Sequence, residues 1–413
     1  MNINSETMLE HARSFWIRLQ PLALIWATIG FLIYLTGFFF LKSSKHMVFF
    51  YAMVILPALF LTARSRILIQ LDAKAIISLL LFLGYFSASA LWGSGEFKEA
   101  LKFGFCLFFL MLSIEACSCR LRPEFIPYFV ATIGGFAVCF YGSILILSDT
   151  AFATFAADRF AFFNAGGLGN DNPIDSAIIL GLPVLAAWWL FPGRKWLIQI
   201  ALITLMISCC ILMFITKSRG PIVALCVMLL IITFFRRNRS DFTLLFFGIL
   251  FITSSLLFEN TASIVADRIE QPDYRLYIWC QAFEQFKDHW IIGRGFGNNA
   301  RIFITDTHAV SHAHSSIFET FRVGGITGAI LFFTMLFFML KRSIFHPNGT
   351  FLLIWMSYGL LCLLTNGRLL LIKPTAIEVF SFWIPLFLAH FYTRHKSNID
   401  CQWQLKKRFP SDL

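Results

Sequence analysis

Three histidines lie close together in the segment that precedes the apolar run 323–340: His308, His312 and His314. A neutral imidazole, whose ordinary pKa is about 6.5, suits removal of a proton from a hydroxyl near neutral pH. His308 and His312 are four residues apart and would share a helical face, as zinc ligands do, but His314 would point away from it and no outer-face cysteine joins them. A general base and a polar loop without chemistry both remain open, and a metal site is the weaker interpretation.

Four arginines border apolar runs: Arg159, Arg219, Arg275 and Arg368. A charged side chain at membrane depth costs about 2.5–3.5 kcal/mol on insertion scales, so its presence usually indicates a partner. A single arginine at the end of a span ordinarily anchors the helix at the membrane interface and extends its charged group to water. Four together favour a bound anion, because a guanidinium makes paired hydrogen bonds to phosphate oxygens.

The composition indicates which elements must position these groups. The 413 residues are 58% hydrophobic and only 14% charged, whereas soluble domains are about 25% charged. This excludes a soluble enzyme, a secreted disulfide scaffold and a disordered chain. Apolar runs of roughly 20 residues predict membrane-spanning helices. Twelve are predicted, at about 22–41, 47–62, 75–92, 101–117, 125–147, 173–191, 196–216, 221–235, 242–258, 323–340, 350–366 and 375–392.

The distribution of charge orients these spans. If the N-terminus is cytoplasmic, the inward segments hold 19 of the 34 lysines and arginines but eight of the 23 acidic residues, as the positive-inside rule requires. The net charge of +11 is thereby explained without nucleic acid. The predicted organisation is helices 1–9 in 1–258, an outer loop in 259–322, helices 10–12 in 323–392 and a cytoplasmic tail in 393–413.

The outer loop carries two local patterns. From Tyr274 to Phe286, apolar residues recur every three to four positions, which predicts an amphipathic helix against the membrane surface. The three glycines of Gly293-Arg294-Gly295-Phe296-Gly297 lack the spacing of a phosphate-binding loop and follow no strand. They therefore predict a turn.

One motif resembles a known family. His314-Ser315 is followed after nine residues by Gly325-Ile326-Thr327-Gly328, which is similar to the His-[Asn/Ser/Gln]-x9-Gly-x-x-[Gly/Thr/Tyr] motif of the bacterial O-antigen ligases. As in that family, it ends the large outer loop and begins the next span. Arg219-Gly220 at the outer start of the eighth span and Arg275 ahead of Ile278-Trp279 also resemble family features, as does the Gly166–Ile174 run after Arg159.

The resemblance implies an all-α integral membrane protein of about twelve transmembrane helices with a GT-C-like glycosyltransferase architecture. It implies transfer of O-antigen from undecaprenyl diphosphate to lipid A-core, without a cofactor or a metal, at the periplasmic face of a Gram-negative inner membrane. His314 matches the essential histidine, and Arg219 and Arg275 match the arginines that hold the lipid diphosphate. Arg159 is an additional contact; Arg368, His312 and Ser315 are weaker candidates.

Three other functions compete with this one. An O-antigen polymerase uses the same donor, but none of the outer arginines tested has the glycine at the eleventh following position that certain polymerases carry. A protein O-oligosaccharyltransferase usually has a longer chain with an added soluble region. A lipid or anion transporter would favour charges near the membrane midplane and symmetry between the two halves, and neither pattern is present in this sequence.

Overall fold

The computed structural model describes residues 5–64, 72–147, 172–245, 274–297, 302–303 and 309–393. It is almost entirely helical. The helices and strands are α1 (Ser5–Phe40), α2 (Ser43–Phe50), a π-helical segment Tyr51–Ile55, α3 (Leu56–Arg64), α4 (Ala73–Ala88), α5 (Phe97–Ser118), α6 (Phe125–Leu147), α7 (Pro173–Leu190), α8 (Trp196–Ile215), α9 (Arg219–Arg236), α10 (Tyr274–Lys287), β1 (Ile302–Phe303), β2 (Ala309–Val310), α11 (Ser316–Leu340), α12 (Thr350–Asn366) and α13 (Ile384–Tyr392).

Ten helical stretches within the described ranges are long and apolar enough to cross a membrane. They coincide with ten of the twelve predicted spans, so the prediction of an all-α, multi-pass membrane protein is confirmed. The predicted ninth span, 242–258, lies mostly outside the described residues. The predicted last span, 375–392, corresponds to a shorter apolar helical stretch, Val379–Tyr392.

The chain between α12 and this last stretch connects the predicted spans 350–366 and 375–392, and part of it is buried. Leu370 and Leu371 are each only 1% exposed, although they belong to no helix. Irregular backbone can be buried in a membrane protein only where its polar groups find partners within the protein. The carbonyl of Leu370 accepts a hydrogen bond from Trp383 Nε1 at 2.9 Å, and that of Pro374 accepts one from the Tyr34 hydroxyl. The segment is therefore part of the packed interior.

Helix α11 is broken at Gly325, where φ is 62° and ψ is −164°. The interruption frees backbone N–H groups, and the segment after α10 supplies their acceptors. Ile326 N donates to Trp290 O at 2.8 Å, and Thr327 N donates to Ile291 O at 3.1 Å. A Cβ at Gly325 would lie 2.4 Å from Ile291 O. The motif glycine is thus required for the backbone of the 290–295 segment to enter the broken helix.

The predicted turn at Gly293–Gly297 is confirmed, and it fixes the base of the outer loop. All three glycines have positive φ, between 70° and 83°. Phe296 N donates to Ser89 Oγ at 2.9 Å, and Gly95 N donates to Phe296 O at 3.0 Å. These bonds attach the turn to the connection between α4 and α5.

The predicted amphipathic helix is observed as α10, but its apolar side packs on α11. Trp279 stacks on Phe318 with ring centroids 5.4 Å apart, and Phe286 meets Phe321 edge-on at 5.7 Å. Ile278 and Ala282 of α10 belong to a small core with Ala313. Helix α10 therefore packs directly against the segment 311–314, called the histidine segment below, which carries His312 and His314. Leu276 and Tyr277 on the other side of α10 remain exposed.

Candidate functional site

His314 lies one residue before the N-cap of α11, in the left-handed region with φ of 49°. A non-glycine residue seldom adopts this conformation, and where one does, the surrounding structure must hold it there. Ser315 follows as the N-cap residue of α11 and is 1% exposed. Its hydroxyl has no hydrogen-bond partner within the described part of the chain. The backbone thus turns sharply at the histidine before the helix begins.

Charged and polar groups from three helical regions surround the His314 imidazole. Burial lowers the pKa of His314 below its ordinary value of 6.5, and the charges of Arg275 and Arg368 lower it further. Glu319 acts in the opposite direction, as does Asn366, whose side chain lies within hydrogen-bonding reach of the imidazole. The net shift is downward, so His314 is neutral at pH 7.

His312 forms a ring pair with His314, with centroids 4.2 Å apart. Burial is the main cause that lowers the pKa of His312 to about 3, followed by the neighbouring His314, Arg368 and Arg322. The Ser311 hydroxyl lies 3.3 Å from His312 Nδ1. His312 is therefore a neutral neighbour of His314 throughout the physiological range.

Arg368, a weaker candidate from the sequence, is one of the charges that act on His314. Its backbone is held from two sides: its N–H donates to Glu378 Oε1 at 3.0 Å, and its carbonyl accepts from Ser316 Oγ at 2.7 Å. Ser316 is the first residue of α11, two positions after His314. Arg368 is thereby tied to the histidine segment, and its side chain remains exposed.

Arg219 is the first residue of α9 and is exposed. The next residue, Gly220, packs against α12 so closely that an added Cβ would lie 2.7 Å from Thr365 Oγ1. Thr365 precedes Asn366, which reaches His314. The predicted Arg219-Gly220 pair thus borders the helix end that contributes to the histidine environment, and the glycine allows this close packing.

Two predicted residues cannot be located in the site. Arg159, the additional contact, and His308, the third histidine, lie outside the described residues. Among the residues that the structure does describe, no group of three His, Cys, Asp or Glu side chains has the arrangement of a metal site.

An ion pair beneath the histidines was not recognised from the sequence. Glu319 and Arg322 are 5% and 1% exposed, and Arg322 Nη2 lies 2.5 Å from Glu319 Oε1. The sequence does contain a signal for this ion pair, because two opposite charges three residues apart at the start of an apolar span require partners.

Asn366 was also not recognised from the sequence, and nothing local in the sequence connects it with a histidine 52 positions earlier.

In this arrangement a neutral imidazole is subject to the charges of two arginines, Arg275 and Arg368. The imidazole can accept a proton from a hydroxyl, and guanidinium groups bind phosphate oxygens. The Asn366 side chain can hold one ring nitrogen so that the other remains free as an acceptor. The site can therefore combine binding of an anionic group with activation of a hydroxyl nucleophile.

The chain is similar in sequence to known proteins. Residues 201–333 match the family model described as O-Antigen ligase, a range that contains α9, α10, the histidine segment and the broken part of α11. The chain is also similar to a protein of Pseudomonas aeruginosa strain PAO1 named O-antigen ligase. The two are 23% identical over 377 residues, which cover 88% of this chain and 89% of that protein. Both matches are to O-antigen ligases, so this is the family to which the chain is similar.

Proposed function

We propose that the protein transfers O-antigen polysaccharide from undecaprenyl diphosphate to lipid A-core at the periplasmic face of the inner membrane. One observation carries this proposal: the His314 imidazole is kept neutral by burial and by the charges of Arg275 and Arg368, which lower its pKa. A lipid-linked diphosphate supplies the anion that such arginines bind, and a sugar hydroxyl of lipid A-core supplies the proton that the imidazole accepts.

In the proposed reaction, Arg275 and Arg368 hold the diphosphate, and Arg219 approaches it from the start of α9. His314 takes the proton from the acceptor hydroxyl as its oxygen attacks the anomeric carbon of the donor. The bond between that carbon and the diphosphate oxygen breaks, and undecaprenyl diphosphate leaves with the electron pair. Attack from the face opposite the leaving group predicts inversion at the anomeric carbon.

Fixed positive charge matters most where negative charge develops. As the glycosidic bond breaks, charge accumulates on the leaving diphosphate, and preorganised guanidinium groups stabilise it without reorientation. Binding both substrates in one site also replaces an encounter in solution by a positioned attack. The broken helix and the docked 290–297 segment supply a rigid frame for this positioning.

A deletion strain tests the proposal against the polymerase alternative. Lipopolysaccharide should lack attached O-antigen, while long lipid-linked polymer accumulates, and the chain supplied on a plasmid should restore attachment. Lipid A-core that carries a single O-unit would instead indicate a polymerase. The direct assay is joining of undecaprenyl diphosphate-linked glycan to lipid A-core by the purified protein in detergent. Failure to join them when both substrates are intact would contradict the proposed function.

A further inference from the structure

The segment from Ser311 to His314 has no regular structure of its own after β2, yet it must hold His314 at positive φ. Two hydrogen bonds to this segment come from a single pair of buried side chains. Glu319 Oε2 accepts a hydrogen bond from Ala313 N at 2.9 Å. Arg322 Nη2 donates to Ser311 O at 3.2 Å. The two bonds hold the residues on either side of His312 and immediately before His314.

The same pair ties the segment to two helices. Arg322 Nε and Nη2 donate to the two carboxylate oxygens of Glu319 at 3.0 and 2.5 Å, in a paired arrangement. Arg322 Nη1 donates to Gln285 Oε1 of α10 at 3.2 Å. In addition, the Arg322 carbonyl accepts from Arg294 N at 3.0 Å. One guanidinium therefore joins α10, α11 and the histidine segment.

A buried ion pair is weak as a source of stability, because desolvation of both charges offsets their attraction, and apolar replacements are often tolerated. The geometry here points to another role. The hydrogen bonds described above connect the pair to Ser311 and Ala313, on either side of His312, and to Gln285 of α10, the helix that also carries Arg275. Replacement by apolar side chains would preserve packing while it releases Ser311 and Ala313.

We propose that Glu319 and Arg322 are positioning residues, whose buried ion pair holds the 311–314 segment so that the His314 imidazole faces Arg275 and Arg368. This inference rests on the proposed function in so far as it concerns transfer. It assigns a role to the nine residues between Ser315 and the motif glycine Gly325: they carry the pair that sets the orientation of the histidine.

The decisive variant is the double replacement Glu319→Leu with Arg322→Met, which removes both charges together and leaves neither unpaired. We expect it to insert in the membrane at the wild-type level and to lower kcat about 100-fold, the loss that a misplacement of about 1 Å produces. KM for the lipid-linked donor should change little, because Arg275 and Arg368 remain. Glu284→Gln is the matched control, since it breaks an exposed Glu284–Lys287 pair with the same i,i+3 spacing on α10.

Two further measurements report positioning independently of overall stability. Hydrogen–deuterium exchange of a peptide containing 311–314 should rise about tenfold in the double variant, as expected when a hydrogen bond of about 1.4 kcal/mol is lost. Glu319 raises the pKa of His314, so its removal should move the acid limb of kcat/KM to lower pH. If the double variant does not insert, Glu319→Gln is used instead, with the same pH shift expected and a smaller rise in exchange.

The inference is overturned if the double variant has the kcat, the hydrogen–deuterium exchange of 311–314 and the pH profile of the wild type. The same holds for Glu319→Gln where that variant is used instead. His314→Ala, measured in parallel, separates this outcome from failure of the proposed function. An active His314→Ala removes the proposed base, and the exchange of 311–314 then still decides whether the pair holds the segment. An inactive His314→Ala with a fully active Glu319→Leu, Arg322→Met protein overturns the positioning role alone.

Discussion

The imidazole rings of His312 and His314 lie with their centroids 4.2 Å apart, yet their surroundings assign them different tasks. The pKa of His314 is lowered by burial and by the charges of Arg275 and Arg368, and it is raised by Glu319 and Asn366. The pKa of His312 is lowered to about 3, mainly by burial, so its conjugate acid is far too strong for it to act as a base near neutral pH. Of the two rings, His314 is the one suited to accept a proton.

This difference predicts unequal effects of substitution. His314→Ala should lower transfer about 10²–10⁴-fold, the usual contribution of a general base, whereas His312→Ala should cost much less. The measurement is in vitro joining of lipid-linked glycan to lipid A-core, with donor binding measured separately and expected to survive. EDTA should leave the wild-type enzyme active. Equal losses in both variants together with inhibition by EDTA would indicate a metal site instead of a base.

Substitution of the motif glycine, Gly325, is expected to destabilise the folded protein. Gly325→Ala places a Cβ 2.4 Å from Ile291 O at a φ of 62°, and backbone strain of this kind costs about 1–3 kcal/mol. The thermal unfolding midpoint of the purified protein should fall. Gly84→Ala on α4 is the matched control, because a Cβ there meets nothing within 4 Å. Equal midpoints for both variants would show that the broken helix does not depend on this glycine.

The sequence predicted what depends on local composition and on the motif. Apolar runs located the spans, and the motif singled out His314 and Gly325. The sequence did not predict that Leu370 and Leu371 are buried without helical structure, because a short connection between the spans 350–366 and 375–392 is ordinarily expected at the surface. Nor did it connect Asn366 with His314, a contact that depends on how α12 packs beside α11.

The arginines predict loss of donor binding. Arg275→Ala and Arg368→Ala should each weaken binding of undecaprenyl diphosphate-linked glycan by about 10–100-fold, since a charged hydrogen bond contributes about 1.5–3 kcal/mol. Lysine should restore it poorly because it lacks the planar fork. Arg219→Ala should have the same direction of effect. Binding is measured with the inactive His314→Ala protein as background. Unchanged affinity in any one of these variants would remove that arginine from the donor site.

Asn366 predicts an effect on the orientation and basicity of His314. Asn366→Ala removes a group that raises the pKa of His314, and loss of one hydrogen bond of about 1 kcal/mol should lower transfer about fivefold. Asn366→Asp places a negative charge there, which should raise the pKa of His314 and move the acid limb of the pH profile upward. Identical pH profiles in the two variants would show that Asn366 does not act on the imidazole.

The pH dependence of the wild-type enzyme should itself change when the donor binds. In the free enzyme, burial and the charges of Arg275 and Arg368 hold the pKa of His314 below 6.5. The neutral base is therefore fully present above that lowered pKa and is lost as the pH falls through it. A bound diphosphate would offset the arginine charges and so raise the pKa of His314 in the complex. The pH profile of kcat/KM reports the free enzyme, and the pH profile of kcat reports the complex. The acid limb of kcat should therefore lie at higher pH than the acid limb of kcat/KM.

In Arg368→Gln the acid limb of kcat/KM should move to higher pH, towards that of kcat, because one of the charges that lower the pKa of His314 is gone. Limbs that coincide in the wild type, and that stay in place in Arg368→Gln, would contradict a diphosphate bound between these arginines and His314.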